Sequence, residues 1–295
     1  MPADNLIDGR AIAEQIHSET SARFATLKSR GIEPKLVFVR VGDDAASQVY
    51  VGMKEKTSKR LGIASKVHVL PEKTTEQELL QLVQELNRDA AVHGILVQSP
   101  IPKQIDSTKI YSAVAPEKDV DGFHPVNMGK LLLGDTTGFV PCTPDGVREL
   151  LIRSGVKIEG AEVVILGRGN IVGKPMAALL VQKAPHANAT VTICHSQSRH
   201  IAENCKKADI IVAAMGVAEF VKADMVKPGA AVMDVGVNRV PDSSAKSGTK
   251  LVGDVDFEGV RKVAGKITPN PGGVGPMTIA MLMRNTVRAA ENLTR

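Results

Sequence analysis

Cysteine and tyrosine are scarce in this chain of 295 residues, with three of the first and two of the second. Cys142, Cys194 and Cys205 are odd in number and far from any metal-ligand spacing, which argues against a disulfide framework and against a zinc site. The 37 basic and 32 acidic residues give a net charge of +5 without forming a basic tract, so neither nucleic acid nor a membrane surface is an expected partner. A small anionic ligand suits this balance better. The opening stretch MPADNLIDGRAIAEQ has no apolar signal region and no apolar run approaches bilayer length, so the expectation is a soluble, cytoplasmic protein. No G-x-S-x-G elbow supports a hydrolytic triad, and no short repeat or low-complexity tract is present.

What is present is an alternation of helical and apolar extended segments. A helix over Gly9 to Ser29 precedes strand KLVFVRVG, a helix around Tyr50 and Lys54, strand SKVHVL, and the helix TTEQELLQLVQELNRDA with Thr74 and Gln77 as its capping box. Strand GILVQSP and a short helix near Ser107 to Val114 follow. Residues Pro116 to Pro144 read as a loop-rich stretch, either a domain boundary or a binding loop. A helix from Asp145 to Ser154 comes next, then strands AEVVILG, TVTICH, DIIVAAMG and AAVMDVGV, and a last helix over Met277 to Leu293. Such alternation predicts parallel sheets covered by helices, and the length allows two domains.

Tyr50 lies four residues before Lys54, so on a helix the two side chains stand on one face. Helical spacing extends that line to Thr57 and Leu61, leaving Lys56, Lys59 and Arg60 mostly off it, so Lys54 is expected to face partly inward. A lysine drawn out of water loses some preference for its charged form and becomes a usable base or proton shuttle. An exposed surface pair is the plainer alternative. Gln98 ends an apolar strand, where a parallel sheet presents ligand-facing residues, although a capped strand end explains it equally. Asp119 and Asp121 flank Val120, and one of them serves as a turn residue on this reading. His124 and His195 are each open to a titrating or a structural role.

Strand EVVILG runs into Gly167-Arg168-Gly169-Asn170-Ile171-Val172-Gly173 and then a helix with Pro175 in its first turn. Glycines at a strand-to-helix turn let backbone amides approach a diphosphate, which predicts dinucleotide binding; a plain tight turn is the alternative. No acid ends the next strand, where NAD would want a carboxylate for its ribose. His195-Ser196-Gln197-Ser198-Arg199 offers hydroxyls and a cation instead, and Arg168 sits in the turn, so the prediction is NADP.

The segments YVGMKEK, GILVQSPIP, KDVDGFHPVNMGKL, FVPCTPDGV, GRGNIVGKPMAALL, VTICHSQS, DVGVNR and TPNPGGVGPMTIAML, in that order and nearly end to end, resemble the bifunctional methylenetetrahydrofolate dehydrogenase/cyclohydrolase family. The resemblance implies oxidation of 5,10-methylenetetrahydrofolate with NADP and hydrolysis of the methenyl product to 10-formyltetrahydrofolate. It implies that Tyr50 packs on the folate rings, that Lys54 is the central catalytic group assisted by Gln98, and that Asp121 holds the pterin. Gly273 joins the substrate site, and Gly167, Arg168, Gly169, Ser196 and Val237 the cofactor site, on the same ground. Two departures stand out: Gly169 where the family commonly has serine, and Ser99 where it often has leucine.

The expected architecture is α/β with two domains and the active site in the cleft between them. Residues 1–142 with 275–295 form a folate-binding catalytic domain with a parallel sheet, and 143–274 a Rossmann-like NADP-binding domain. Family resemblance further implies a homodimer through the cofactor domain. Two other readings stay open: a monofunctional NADP-dependent dehydrogenase, and a non-catalytic dinucleotide-binding regulatory protein.

Overall fold

The computed structural model describes residues 5–244 and 248–294. The chain divides into two compact units, Glu14–Cys142 with Ile279–Arg295, and Met1–Ala13 with Thr143–Thr278. The sequence reading put residues 1–142 in one domain, but the described residues up to Ala13 belong to the other. Backbone pairing explains this: Leu6 bridges in parallel to Ile267, and the Ile7 amide donates to the Ile267 carbonyl at 2.8 Å. The Asn5 side-chain amide also donates to the carbonyls of Arg261 and Ala264.

One unit carries α1 (Gly9–Ser29, which begins in the other unit), β1 (Lys35–Val41), α2 (Ala45–Arg60), β2 (Ala64–Leu70), α3 (Glu76–Arg88), β3 (Gly94–Val97), α4 (Ser107–Ala113) and α5 (Pro125–Leu133). Its sheet is parallel in the order β2-β1-β3. The middle strand is buried from Leu36 to Val41, as a parallel strand covered on both faces should be, which is why KLVFVRV lacks polar alternation. Leu79, Val83 and Leu86 from α3 pack with Val37, Val39, Ile95 and Ile110 into one core.

Two local expectations are corrected here. The cap of α3 is Thr75, not Thr74: its hydroxyl accepts from the Glu78 amide and the Glu78 carboxylate accepts from the Thr75 amide at 2.8 Å. A carboxylate accepts more strongly than the side-chain amide of Gln77, so the box slides one residue. The stretch read as loop between Pro116 and Pro144 contains α5, which starts with Pro125 behind a capping His124 whose Nδ1 accepts from the Val126 amide at 3.0 Å.

The other unit continues with α6 (Cys142–Arg153), β4 (Glu162–Leu166), α7 (Gly173–Leu180), β5 (Thr190–Cys194), α8 (Ile201–Lys207), β6 (Ile210–Ala213) and β7 (Ala231–Asp234). An antiparallel hairpin of β8 (Asn238–Pro241) and β9 (Thr249–Val252), then α9 (Phe257–Val260) and β10 (Lys266–Ile267), follow in this unit, and α10 (Val274–Leu293), which belongs to the first unit from Ile279 on, completes the chain. Five strands form a parallel sheet in the order β10-β7-β6-β4-β5. The chain steps from β4 to β5 on one side and then returns to place β6 on the other. This makes the carboxyl end of β4 a switch point, where open α/β sheets bind their ligands. Val164, Leu166, Ile211 and Val232 fill the core beneath it.

Lys118, 5% exposed, donates from Nζ to the carbonyls of Leu86, Asn87 and Asp89 at 3.3, 2.8 and 2.7 Å, the groups that α3 leaves open at its end. Lys118→Met is expected to lower the unfolding free energy by about 3 kcal/mol in urea denaturation. An unchanged midpoint would reject this capping role.

Candidate active site

Helix α2 opens at Asp44, whose carboxylate accepts from the Ser47 amide at 2.7 Å, and buries the stripe Ser47, Val51, Lys54 and Ser58. Lys54 therefore lies on the inward line itself, while Tyr50 flanks it half-buried and Thr57 and Leu61 fall outside the stripe. Lys54 is 4% exposed. Its Nζ donates to Gln98 Oε1 at 3.0 Å and stands 4.6 Å from the centre of the Tyr50 ring.

Gln98 follows β3 directly, and its backbone amide donates to the Val39 carbonyl at 2.8 Å, extending the pairing with β1 by one residue. Its side-chain nitrogen donates to the Ser99 carbonyl at 2.6 Å, which turns the amide oxygen toward Lys54. The main-chain carbonyl does this work, so replacing the family's usual leucine by Ser99 leaves the contact available.

Burial pulls the Lys54 amine below the ordinary lysine range, and the nearby Asp121 carboxylate partly opposes that pull. Burial likewise pushes Asp121 above the ordinary carboxylate range, against the favourable pull of Lys54 and a hydrogen bond from Cys142. Asp119 has the other role. Buried at 5% exposure, it accepts from the Phe123 and His124 amides at 3.2 and 2.8 Å and from the Asn127 side chain at 2.8 Å, so it is the turn residue of the pair. His124 is structural as well, with its Nε2 placed 3.1 Å from the Ser112 carbonyl.

Two supporting residues escaped the sequence reading. Cys142, 1% exposed, points its thiol at the Val120 carbonyl at 3.3 Å, and Asn285 donates to the same carbonyl at 2.9 Å. They fix the backbone between the two acids. The available signal for Asn285 was a polar residue inside the apolar face of the last helix; nothing local in the sequence places Cys142 against Val120.

In the five-stranded unit, Gly167 at the end of β4 has φ +117°, and a Cβ there would run into the Ala214 carbonyl. A side chain at Gly173, where α7 begins, would run into the Gly167 carbonyl. The turn is thus a backbone cradle at a helix start, the shape a diphosphate requires. Arg168 and Gly169 are exposed on it, and the Arg168 guanidinium stands 3.4 Å from His195 Nε2. Ser196 is exposed in the turn after β5, which is closed by the Ser198 amide on the His195 carbonyl at 2.8 Å. Val237, 70% exposed, follows β7. With an exposed cation in the cradle and no acid after β5, the residues present fit NADP.

Lys54, Tyr50, Gln98 and Asp121 thus lie in one unit, and Gly167, Arg168, Gly169, Ser196 and Val237 along the carboxyl edge of the sheet in the other. Gly273, expected with Tyr50 and Asp121, is buried in the turn before α10 and belongs to the five-stranded unit.

The family model for the NAD(P)-binding domain of tetrahydrofolate dehydrogenase/cyclohydrolase matches residues 141–294, and the model for the catalytic domain matches residues 7–121. The chain belongs to this family. A bifunctional protein FolD of Chlorobium chlorochromatii is 52% identical over 290 residues, covering 98% of each chain. Among solved structures, the bifunctional enzyme FolD of Campylobacter jejuni is 48% identical with a TM-score of 0.92, covering 97% of this chain and 98% of that one. The Trypanosoma brucei dehydrogenase-cyclohydrolase, solved with NADP cofactor and an inhibitor, is 42% identical with a TM-score of 0.94 and full coverage of both chains. The fold is accordingly that of the tetrahydrofolate dehydrogenase/cyclohydrolases, an α/β protein with a catalytic domain and an NAD(P)-binding domain.

Since the Asp121 charge favours the ammonium form of Lys54, neutralising it moves the lysine further down. Side-chain NMR of labelled lysines should find Lys54 titrating below the other lysines, and lower again in Asp121→Asn. A Lys54 that titrates with the surface lysines, or that ignores the Asp121 change, would overturn the coupling.

Proposed function

We infer that this chain oxidises 5,10-methylenetetrahydrofolate with NADP and hydrolyses the methenyl product to 10-formyltetrahydrofolate, with Lys54 as the proton-carrying group. The observation that carries the reading is the buried Lys54 amine, bonded to Gln98 and coupled to Asp121.

When bound, NADP accepts the hydride that leaves the methylene carbon, and the nitrogens flanking that carbon stabilise the resulting cation. In this step the protein chiefly has to orient. The cradle of Gly167 and Gly173 supports a diphosphate-binding role, Arg168 and Ser196 are suited to a 2′-phosphate, and Val237 offers an apolar surface to the nicotinamide.

Hydration is where the chain must move protons. Water attacks the methenyl carbon; its two protons leave, one ending on the ring nitrogen whose bond to that carbon breaks and one released. Lys54, with its amine drawn toward the neutral form by burial, is suited to take the first proton and return it to the departing nitrogen. Gln98 presents only an oxygen to the amine, which leaves its remaining valences for water and substrate. Tyr50 would stack on the flat pterin, Asp121 would accept from its amino and ring N–H groups, and Gly273 would line the folate site.

The retained Lys54–Gln98 contact favours this reading over a dehydrogenase lacking hydration and over a silent dinucleotide-binding protein. Among the described residues no helix is long and apolar enough to cross a membrane, and a cytoplasmic location fits the reduced cysteines. The homodimer implied by the resemblance belongs to the same reading: β5 is an edge strand with Ile193 37% exposed, and light scattering would test it.

Lys54→Met is expected to abolish cyclohydrolase activity with NADP affinity unchanged, measured by methenyl absorbance decay and calorimetry. Full hydration by that variant would reject the assignment. Arg168→Ala is expected to raise the KM for NADP about tenfold or more while leaving that for NAD nearly unchanged. Equal effects on both would remove Arg168 as the 2′-phosphate partner.

A further inference from the structure

Two fully enclosed carboxylates lie in the five-stranded unit: Asp234 at the end of β7, 3% exposed, and Asp254, 0% exposed, just beyond β9. Neither forms an ion pair among the described residues; both are saturated by N–H groups. Asp254 Oδ2 accepts from the Met215 and Gly216 amides at 2.7 and 2.9 Å, and its Oδ1 from the Asn238 side chain at 2.9 Å. Asp234 Oδ1 accepts from the Gly236 and Asp254 amides at 3.1 and 2.9 Å, and Oδ2 from the Val255 amide at 3.2 Å.

These bonds stitch together the turn after β6, the turn after β7 and the strip containing Asp254 and Val255, which also bridges in parallel to Val221. The approach is close on both sides. A Cβ at Gly236 would enter the Asp254 carboxylate, and one at Gly253 would enter the Asp234 carboxylate. The Val235–Asn238 turn is pinned elsewhere too, by the Val235 amide donating to the Ala213 carbonyl of β6 at 2.9 Å and by the Asn270 side chain donating to the Gly236 carbonyl. Only the Val237 side chain stands free, 70% exposed.

Strand order says what these turns face. The diphosphate cradle is at the end of β4, and Ser196, suited to the adenosine 2′-phosphate, is in the turn after β5, to one side. A dinucleotide laid across the carboxyl edge must then send its nicotinamide half to the opposite side, over β6 and β7. Those are the strands whose following turns Asp234 and Asp254 hold.

We propose that Asp254, through Asn238 and the Met215–Gly216 amides, and Asp234, through Gly236, are positioning residues that set the nicotinamide platform of the dehydrogenase step. This deepens the proposed function and rests on it. Two buried acids would otherwise be a poor choice beside an anionic cofactor, since their charge repels phosphates. Their worth lies in accepting several backbone amides at once, which a neutral side chain cannot match.

The sign of the effect separates this role from simple electrostatics. Asp254→Asn removes a negative charge, so electrostatics alone predicts tighter NADP binding. Positioning predicts the reverse, because the new amide nitrogen confronts the Asn238 donor. The expected result is an NADP Kd about tenfold higher by calorimetry, faster hydrogen exchange at the Gly216 amide in the ligand-free protein, and dehydrogenase kcat lowered with folate KM unchanged. Cyclohydrolase activity should stay at the wild-type level. The reciprocal pair Asp254→Asn with Asn238→Asp restores a donor facing an acceptor but forfeits the Asn238 bond to the Gly253 carbonyl, so it should recover part of the NADP affinity. Should Asp254→Asn not fold, Asn238→Ala carries the same prediction with a smaller loss, about threefold. Unchanged or tighter NADP binding with unchanged Gly216 exchange overturns the proposal. A wild-type protein that fails to bind NADP at all overturns the underlying function instead.

Discussion

A primary amine held at 4% exposure with a neutral amide oxygen as its hydrogen-bonded partner is the constraint that organises the catalytic domain. Withdrawing an ammonium from water is costly, and the Gln98 oxygen returns only part of that cost. The nearby Asp121 carboxylate supplies a further part through its charge. The amine is therefore drawn below the ordinary lysine range, a shift that suits proton transfer and would be a liability at a purely structural position. Each supporting contact holds the surroundings of that amine in place. The Ser99 carbonyl keeps the Gln98 oxygen aimed, Asp119 fastens the turn that carries Asp121, and Cys142 with Asn285 hold the Val120 backbone between the two acids.

The second domain solves a different problem with different means. A dinucleotide is long and anionic, so it needs backbone brought close and held still more than it needs an activated side chain. Glycine supplies the approach at Gly167, and buried carboxylates supply the rigidity after β6 and β7. Burial, with the Asp254 carboxylate as a lesser contributor, pushes Asp234 up to about 7, a measure of how strongly this enclosure acts on a group surrounded by amide donors. On the proposed reading, proton chemistry and cofactor positioning fall to separate stretches of chain.

Much of this was legible beforehand because the relevant signals are local. Uninterrupted apolar runs such as KLVFVRV and EVVIL mark parallel strands covered on both faces, and the glycine turn with Pro175 behind it marks a strand-to-helix junction. Errors arose where neighbouring choices were nearly equal. Thr74 and Thr75 are both hydroxyl caps, and the decision went to the one whose third residue is a carboxylate. The DGFHPVNMGK stretch looked like loop because histidine is an uncommon cap, yet its ring nitrogen starts α5. Asn5 to Ile7 pair with β10 through the backbone, which leaves no trace in side-chain pattern.

By itself the sequence determined the alternating elements, the two-domain plan, the candidate amine and the preference for NADP, because periodicity, glycine placement and a missing acid act over a few residues. Only tertiary structure decided that Lys54 is buried rather than surface-bound, which of Asp119 and Asp121 is structural, and that Asp234 and Asp254 serve the backbone. Each of those outcomes depends on which distant N–H, carbonyl or charge arrives beside a side chain, and that is fixed by strand order and packing rather than by neighbours along the chain.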